Sequence, residues 1–233
     1  MGQIWDWLVE QFSITFIVKD RYMMFIDGLC NTLIIALGAA AIGLLIGATV
    51  AMIRVFHAQT GRLKLVDALM GVYLAFFRGT PIVVQLLIMY FIILQSVNNA
   101  LVVAVVAFGI NSGAYVAEIV RAGILSVDIG QTEAGRSLGL PALKTLLLIV
   151  LPQAVKNILP ALGNEFITLL KETSVASYIT VVDFARAGEK VRTETAQPYF
   201  SLLFTALIYF LMVFGVSKLL KIAERRLSKS DRG

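Results

Sequence analysis

The sequence predicts an all-α integral membrane protein with about five transmembrane helices. Three observations carry that prediction. Hydrophobic residues make up 58% of the 233 residues and charged residues only 15%, with a mean hydropathy of +0.84. A soluble domain carries about 25% charge, so a chain this apolar can neither cover a soluble surface nor remain disordered. The apolar residues fall into stretches of about 20 or more, the length a helix needs to cross a hydrocarbon core about 30 Å thick. Finally, basic residues collect between alternate stretches and after the last one, the pattern set by the preference of Lys and Arg for the cytoplasmic side.

The elements follow in order. Residues 1–27 read as an extracytoplasmic, interfacial segment, with Trp5 and Trp7 as anchors at the membrane surface and no basic region of the kind that opens a cleaved signal peptide. A transmembrane domain spans 28–222. Its first apolar span runs from about Gly28 to Ile53, and Gly43 and Gly47 form a GxxxG pair that lets a neighbouring helix of the same subunit approach closely. Arg54, His57, Arg62 and Lys64 occupy a short loop. The second apolar stretch, about Leu65 to Leu94, is interrupted at Arg78-Gly79-Thr80-Pro81. Pro81 has no amide hydrogen and disfavours a helical Thr80, so this stretch is a broken helix or two short ones. Such a break survives at membrane depth only where protein or a wet cavity covers the freed backbone groups.

Gln95 to Asn99 form a polar turn, and a third span covers about Leu101 to Ile124. A fourth, about Thr145 to Leu170, carries Pro152 and Pro160. The segment 171–197 is mixed, with four basic and four acidic residues, and the last span is about Pro198 to Leu220. A basic cytoplasmic tail closes the chain at 223–233. With the residues leading into it, it gathers Lys218, Lys221, Arg225, Arg226, Lys229 and Arg232. Beside an apolar span this cluster marks the inner end of a helix rather than a nucleic-acid site. The loops carrying the basic residues (54–64, 125–145 and the tail) are assigned inside. The N-terminal segment, with Asp6, Glu10, Asp20 and Asp27 against Lys19 and Arg21, is assigned outside. Five crossings with the N-terminus out and the C-terminus in satisfy every loop.

The loop between the third and fourth spans is the most informative stretch. It reads Glu133-Ala134-Gly135-Arg136-Ser137-Leu138-Gly139, then Ile149-Val150-Leu151-Pro152. Gly139 suits a helix C-cap and Pro141 the start of the next helix, so a short helix, a turn and a second helix are expected. Ala134 and Gly135 are small enough to let a partner surface approach, and Glu133 and Arg136 can pair with it. The spacing Glu-Ala-Ala, three residues, Gly, nine residues, Ile-x-Leu-Pro resembles the cytoplasmic signature of permease subunits of bacterial ABC importers. This chain departs from it at Gly135, where the pattern has Ala. Arg78-Gly79-Thr80-Pro81, Leu151-Pro152-Gln153-Ala154, Pro160 to Phe166 and Leu170 to Ser174 resemble the polar amino-acid branch of that family. The resemblance covers roughly Asp27 to Arg226.

That resemblance implies a type I ABC importer transmembrane domain in a bacterial cell membrane, surrounded by lipid. The loop at about 125–152 would hold a coupling helix docked on an ATPase dimer through Glu133, Ala134, Gly135, Arg136 and Gly139. A second permease subunit, a copy or a paralogue, would complete the pathway, and an extracytoplasmic solute-binding protein would deliver an amino acid. The chain has no G-x-x-x-x-G-K-[ST] phosphate loop, so it is expected to be a transport subunit rather than an enzyme. It would hold no cofactor of its own, with ATP and Mg²⁺ on the partner ATPase.

Ionisable residues at membrane depth face a cavity or a partner, because exposing one to lipid costs about 2.5–3.5 kcal/mol on insertion scales. Arg78, Glu118 and Glu165 qualify. Arg78 can hold a carboxylate bidentately, and Glu165, beside Asn164, can hold an ammonium or a cationic side chain. The resemblance places Arg78, Thr80, Asn164 and Glu165 at the amino-acid site. Glu118, three residues from Arg121, reads as one half of a helix ion pair. Asn111, Ser112 and Tyr115 line one helix turn, as cavity residues or as interhelical hydrogen bonds, and Gln85 faces either the cavity or a partner helix. A carboxylate at the site favours a basic amino acid (arginine, lysine or histidine) over glutamine, glutamate or cystine. One His, in a loop, and one Cys, Cys30, leave little for an intramembrane enzyme or a metal site. A channel or structural subunit would not need the docking signature.

Overall fold

The computed structural model describes residues 2–229, with side chains through Arg225. Of the basic tail, residues 230–233 with Arg232 lie outside the described residues. The described chain is helical almost throughout. Helix α1 (Gly2–Phe12) leads through a π-helical turn and a 3₁₀ turn into α2 (Arg21–Thr60), a 40-residue helix that starts ahead of Gly28. At 1.5 Å per residue such a helix is about 60 Å long, well over the ~30 Å core, so it overshoots the membrane. It ends at Gly61, whose φ of 68° lets its N–H turn back to the His57 carbonyl.

Helices α3 (Lys64–Gly79) and α4 (Ile82–Ile88, prolonged by a π turn to Ile93) form the broken span and meet at 112°. Helix α5 (Ala100–Leu125) is the buried centre of the bundle, capped at its start by Asn99, whose side chain accepts from Leu101 N. Helix α6 (Ile129–Ser137) is the short helix expected in the third loop. Helix α7 (Ala142–Thr145) runs through a π turn (Leu146–Val150) into α8 (Leu151–Glu172), and a 3₁₀ turn continues it to Ile179. Helix α9 (Phe184–Thr195) precedes the long α10 (Pro198–Lys229). Among the described residues, four helical stretches are long and apolar enough to cross a membrane, or five with the bent pair counted as one span.

Packing follows the small residues. Helix α2 lies along α5, and the approach is close where Gly43 meets Ser112 and Gly47 meets Val116 and Ala117. The GxxxG pair thus serves contact within one subunit, as the sequence suggests. Gly163 of α8 accepts Leu220 of α10 in the same way.

Helix α9 is not one of the sequence-predicted elements. Its signal is Asp183 as N-cap, accepting from Ala185 N and Arg186 N, followed by apolar or small residues at 184, 187, 188 and 191, the spacing of one helical face. That face packs on α2 and α10. Thr32 Oγ1 accepts from Phe184 N at 3.0 Å, Asn31 donates to the Val182 carbonyl at 2.9 Å, and Arg21 pairs with Glu194 at 3.3 Å. An aromatic cluster of Phe16, Phe25, Phe184 and Phe204 fills the same end.

Candidate functional site

The break between α3 and α4 has a defined chemistry. In an unbroken helix the amide of residue 81 would donate to the carbonyl of residue 77, but Pro81 has no such donor. Two side-chain amides take its place. Gln85 Nε2 donates to the Phe77 carbonyl at 2.9 Å, to the Thr80 carbonyl at 3.0 Å and to Thr80 Oγ1 at 2.8 Å. Asn111 Nδ2 reaches the Phe77 carbonyl from α5 at 3.2 Å and donates to Gln85 Oε1 at 2.8 Å. Gln85 and Asn111 are buried. The sequence leaves each open between a cavity and a helix contact, and in the structure their amide groups are committed to the broken backbone. Thr80 belongs to the same clamp, its hydroxyl donating to the Phe76 carbonyl at 2.8 Å.

The break aims Arg78 into a cavity of about 430 Å³ between α3, α5 and α8, a size within the ~300–1,000 Å³ of small-molecule sites. Its polar lining is Arg78, Tyr115, Glu118, Ser126, Asn157 and Glu165. Glu165 projects from α8 and accepts a hydrogen bond from Ser112 Oγ of α5 at 2.9 Å. The Arg78 guanidinium carbon lies 5.9 Å from the centre of the Tyr115 ring, within cation–π range. Glu118 takes Nε of Arg121 at 3.0 Å and also contacts Arg121 Nη2, so the expected helix ion pair is present. A second cation joins it, Arg78 Nη1 at 3.7 Å.

The cavity thus brings together Arg78, Tyr115 and Glu165 with Ser112 behind them, and adds Glu118 and Asn157. Asn164 is exposed and does not line the cavity, because one residue along a helix turns the side chain by about 100°. Asn157 donates to Ser126 Oγ at 2.8 Å. It stands two helical turns before Glu165 on the same face, a spacing that could have flagged it from the sequence. The Arg78–Glu118 contact joins two helices and had no sequence signal. A larger cavity of about 730 Å³ lies beside the first at the α6 end of the bundle and shares Ser126 with it. Its polar groups include Arg54, Asp67, Arg121 and Asp128.

Helix α6 is a short, well-capped unit. Asp128 caps its start, accepting from Gly130 N at 2.6 Å. Its end closes with Leu140 N donating to the Gly135 carbonyl at 3.1 Å, Gly139 N donating to the Arg136 carbonyl at 3.0 Å, and Gly139 at a φ of 83°, a Schellman-type stop. Glu133, Ala134, Arg136 and Gly139 are exposed, although Arg136 also donates to the Leu140 carbonyl at 3.0 Å. Gly135 is different. It is buried, and a Cβ there would come within 2.7 Å of Thr145 Cγ2 and 2.8 Å of Ile149 Cδ1. Its small size serves the packing of α6 on its own chain, which corrects the reading of Gly135 as a partner contact. Ile129 at the start of α6 and Leu138 just past its end are 74% and 82% exposed, apolar residues that sequence reading did not single out.

Residues 43–229 match the family described as the inner membrane component of binding-protein-dependent transport systems. Three similar proteins span its range. A permease protein named GlnP for glutamine transport in Rickettsia prowazekii is 37% identical over 210 residues, covering 89% of this chain and 94% of that protein. The arginine transport system permease protein ArtQ of Bacillus subtilis is 38% identical over 209 residues, covering 88% and 93%. The crystal structure of an amino acid ABC transporter with histidines superimposes with a TM-score of 0.82 at 41% identity, covering 91% of this chain and 98% of that one. The chain therefore belongs to the family of inner membrane components of binding-protein-dependent transport systems, as a multi-pass permease subunit of an amino-acid ABC importer.

Proposed function

We propose that the amino acid carried is a basic one, with its α-carboxylate at Arg78 and its cationic end at Glu165. The observation that carries this reading is that Arg78 and Glu165, on separate helices, line one cavity. A carboxylate in a partly dry cavity attracts a guanidinium or ammonium side chain and gives nothing comparable to the neutral side chain of glutamine. Support also comes from the solved neighbour, named as an amino acid ABC transporter with histidines, and from the relative named for arginine. Relatives named for glutamine and L-cystine show how close the alternatives stand.

The family and the fold support the following reading of the rest of the cycle. A solute-binding protein presents the amino acid outside. A second permease subunit completes the pathway, and an ATPase dimer docks on the exposed face of α6 around Glu133, Ala134, Arg136 and Gly139. ATP and Mg²⁺ belong to that ATPase. Closure of the ATPase would move α6 with the bundle packed on it and switch the cavity between the two sides, an alternating-access motion of rigid bodies. Release would lead through the larger cavity beside α6.

The test is amino-acid-stimulated ATP hydrolysis and uptake by the complete transporter in liposomes. Arginine, lysine or histidine should stimulate, and Glu165→Gln should weaken that response about tenfold or more, the worth of a charge-assisted hydrogen bond. Unchanged uptake of basic amino acids by Glu165→Gln, in rate and affinity, would sink the substrate assignment. An Ala134→Trp change should uncouple the ATPase while leaving the permease folded.

A further inference from the structure

We propose that Glu118 is a built-in stand-in for the substrate carboxylate, which holds Arg78 when the cavity is empty and yields it to the bound amino acid. The inference rests on the amino-acid reading of the cavity given above.

The two arginines grip Glu118 unequally. Arg121, three residues on along α5, takes both carboxylate oxygens through Nε and Nη2, the bidentate geometry that makes such pairs strong. Arg78 reaches the same carboxylate from α3 with one nitrogen at 3.7 Å. That distance is an ion pair but too long for a hydrogen bond. The Arg78 side chain is 43% exposed, and both it and Glu118 line the cavity. Arg78 is thus held near one carboxylate without its donors being satisfied, while the fork that a free carboxylate would match stays open to the cavity.

Charge makes the same point. Arg78, Arg121 and Glu118 sum to one surplus positive charge, and Glu165 on the far helix carries one negative charge. An amino acid entering with its carboxylate toward Arg78 and one cationic group toward Glu165 compensates both, and a basic amino acid keeps its second cationic group over. Glu118 then remains with Arg121, so neither acid is left unpaired at membrane depth, where an unpaired charge is costly. The contact keeps Arg78 extended over Tyr115, 5.9 Å from the ring centre, instead of leaving it to pair elsewhere. The cost is competition. Substrate must displace Glu118 from Arg78, so Glu118 lowers affinity and thereby favours release.

The experiment is equilibrium binding of radiolabelled L-arginine and L-glutamine to the permease–ATPase complex in nanodiscs, without the binding protein. Each amino acid is paired with its carboxamide, argininamide or glutaminamide, which lacks the free carboxylate. For whichever amino acid binds the wild type, Glu118→Gln should tighten binding by about two- to fivefold, the worth of a half-exposed ion pair, and leave the carboxamide unchanged. Glu118→Asp keeps the charge on Arg121 but withdraws it by one methylene from Arg78. It should tighten binding by a smaller factor, and it carries the test if Glu118→Gln does not assemble. Unchanged or weaker binding of the amino acid, or equal tightening of the carboxamide, would overturn the stand-in role. Arg78→Gln separates the two ideas. If it abolishes the preference for the amino acid over its carboxamide while the Glu118 variants do nothing, only the stand-in role fails. If the preference survives Arg78→Gln, or if neither amino acid binds the wild type, the cavity reading fails and the stand-in role fails with it.

Discussion

At the scale of single residues, the small side chains carry the tightest constraints. A Cβ on Gly47 would lie 2.5 Å from Val116 Cγ1 and 2.8 Å from the backbone nitrogen of Ala117. Val116 could turn, but the backbone of α5 cannot give way without moving the bundle. Gly47→Ala should therefore cost about 1–3 kcal/mol, the usual price of overpacking, and lower the melting temperature of the detergent-purified transporter by several degrees. Gly215 of α10 has nothing within 4 Å of its would-be Cβ. Gly215→Ala should match or exceed wild type, since Ala is the better helix former. Equal melting of both variants would mean that α2 and α5 do not meet as described. Gly135 shows what sequence reasoning sees and misses at this scale. Its small size was legible, but the direction it faces was not, because that depends on where Thr145 and Ile149 land after the turn at Gly139.

The broken span is the element where local chemistry and site geometry meet. Pro81 announced the break, and the need to cover the freed carbonyls was foreseeable. What covers them was not, because Gln85 and Asn111 come from two helices and meet only once α4 has folded back at 112°. Replacing Gln85 with Leu keeps the bulk and removes the donors to Phe77 and Thr80. It should cost about 1–3 kcal/mol for the buried groups left unpaired, readable as a lower melting temperature. Because Arg78 lies in the last turn of α3, the same change should also weaken amino-acid binding. Asn111→Ala should do the same to a lesser degree, since its bond to Phe77 is the longer one. A Gln85→Leu protein that melts and binds like wild type would show that the clamp does not position the break. Elements with sustained apolar runs were found from hydropathy, but their ends were not: α2 runs on to Thr60 and α3 starts at Lys64, so Arg54, His57 and Lys64, assigned to a loop from the sequence, are helical. Helix α9 was not found, because its four buried apolar or small positions are diluted by Arg186, Glu189, Lys190, Arg192 and Glu194, and only the Asp183 cap and the spacing reveal it.

At the scale of the whole molecule, the two ends of the bundle define its sides. The number of crossings was legible because a bilayer imposes a length on every span, and the packing of those spans is coherent with one orientation. The start of α2, helix α9 and the start of α10 share one end, tied by Arg21–Glu194 and by the contact of Gly28 with Asp183. The end of α2, the start of α3 and helix α6 share the other, tied by Arg54–Asp67 at 3.1 Å and by the larger cavity. The basic loops fall at this second end, which the positive-inside rule assigns to the cytoplasm. Cys30 is the sole cysteine, so a Cys30→Ser background allows single cysteines to report position. Asn98→Cys, in the turn after the broken span, and Thr193→Cys, on α9, should react with a membrane-impermeant maleimide in intact cells. Ser137→Cys, on α6, should react only after the membrane is opened or in inverted vesicles. If Ser137→Cys labels from outside and Asn98→Cys does not, the orientation is reversed, and α6 cannot meet an ATPase that works in the cytoplasm. If the pattern holds, the break, the cavity and α6 lie in that order from the outer side to the inner, which is the order an importer requires.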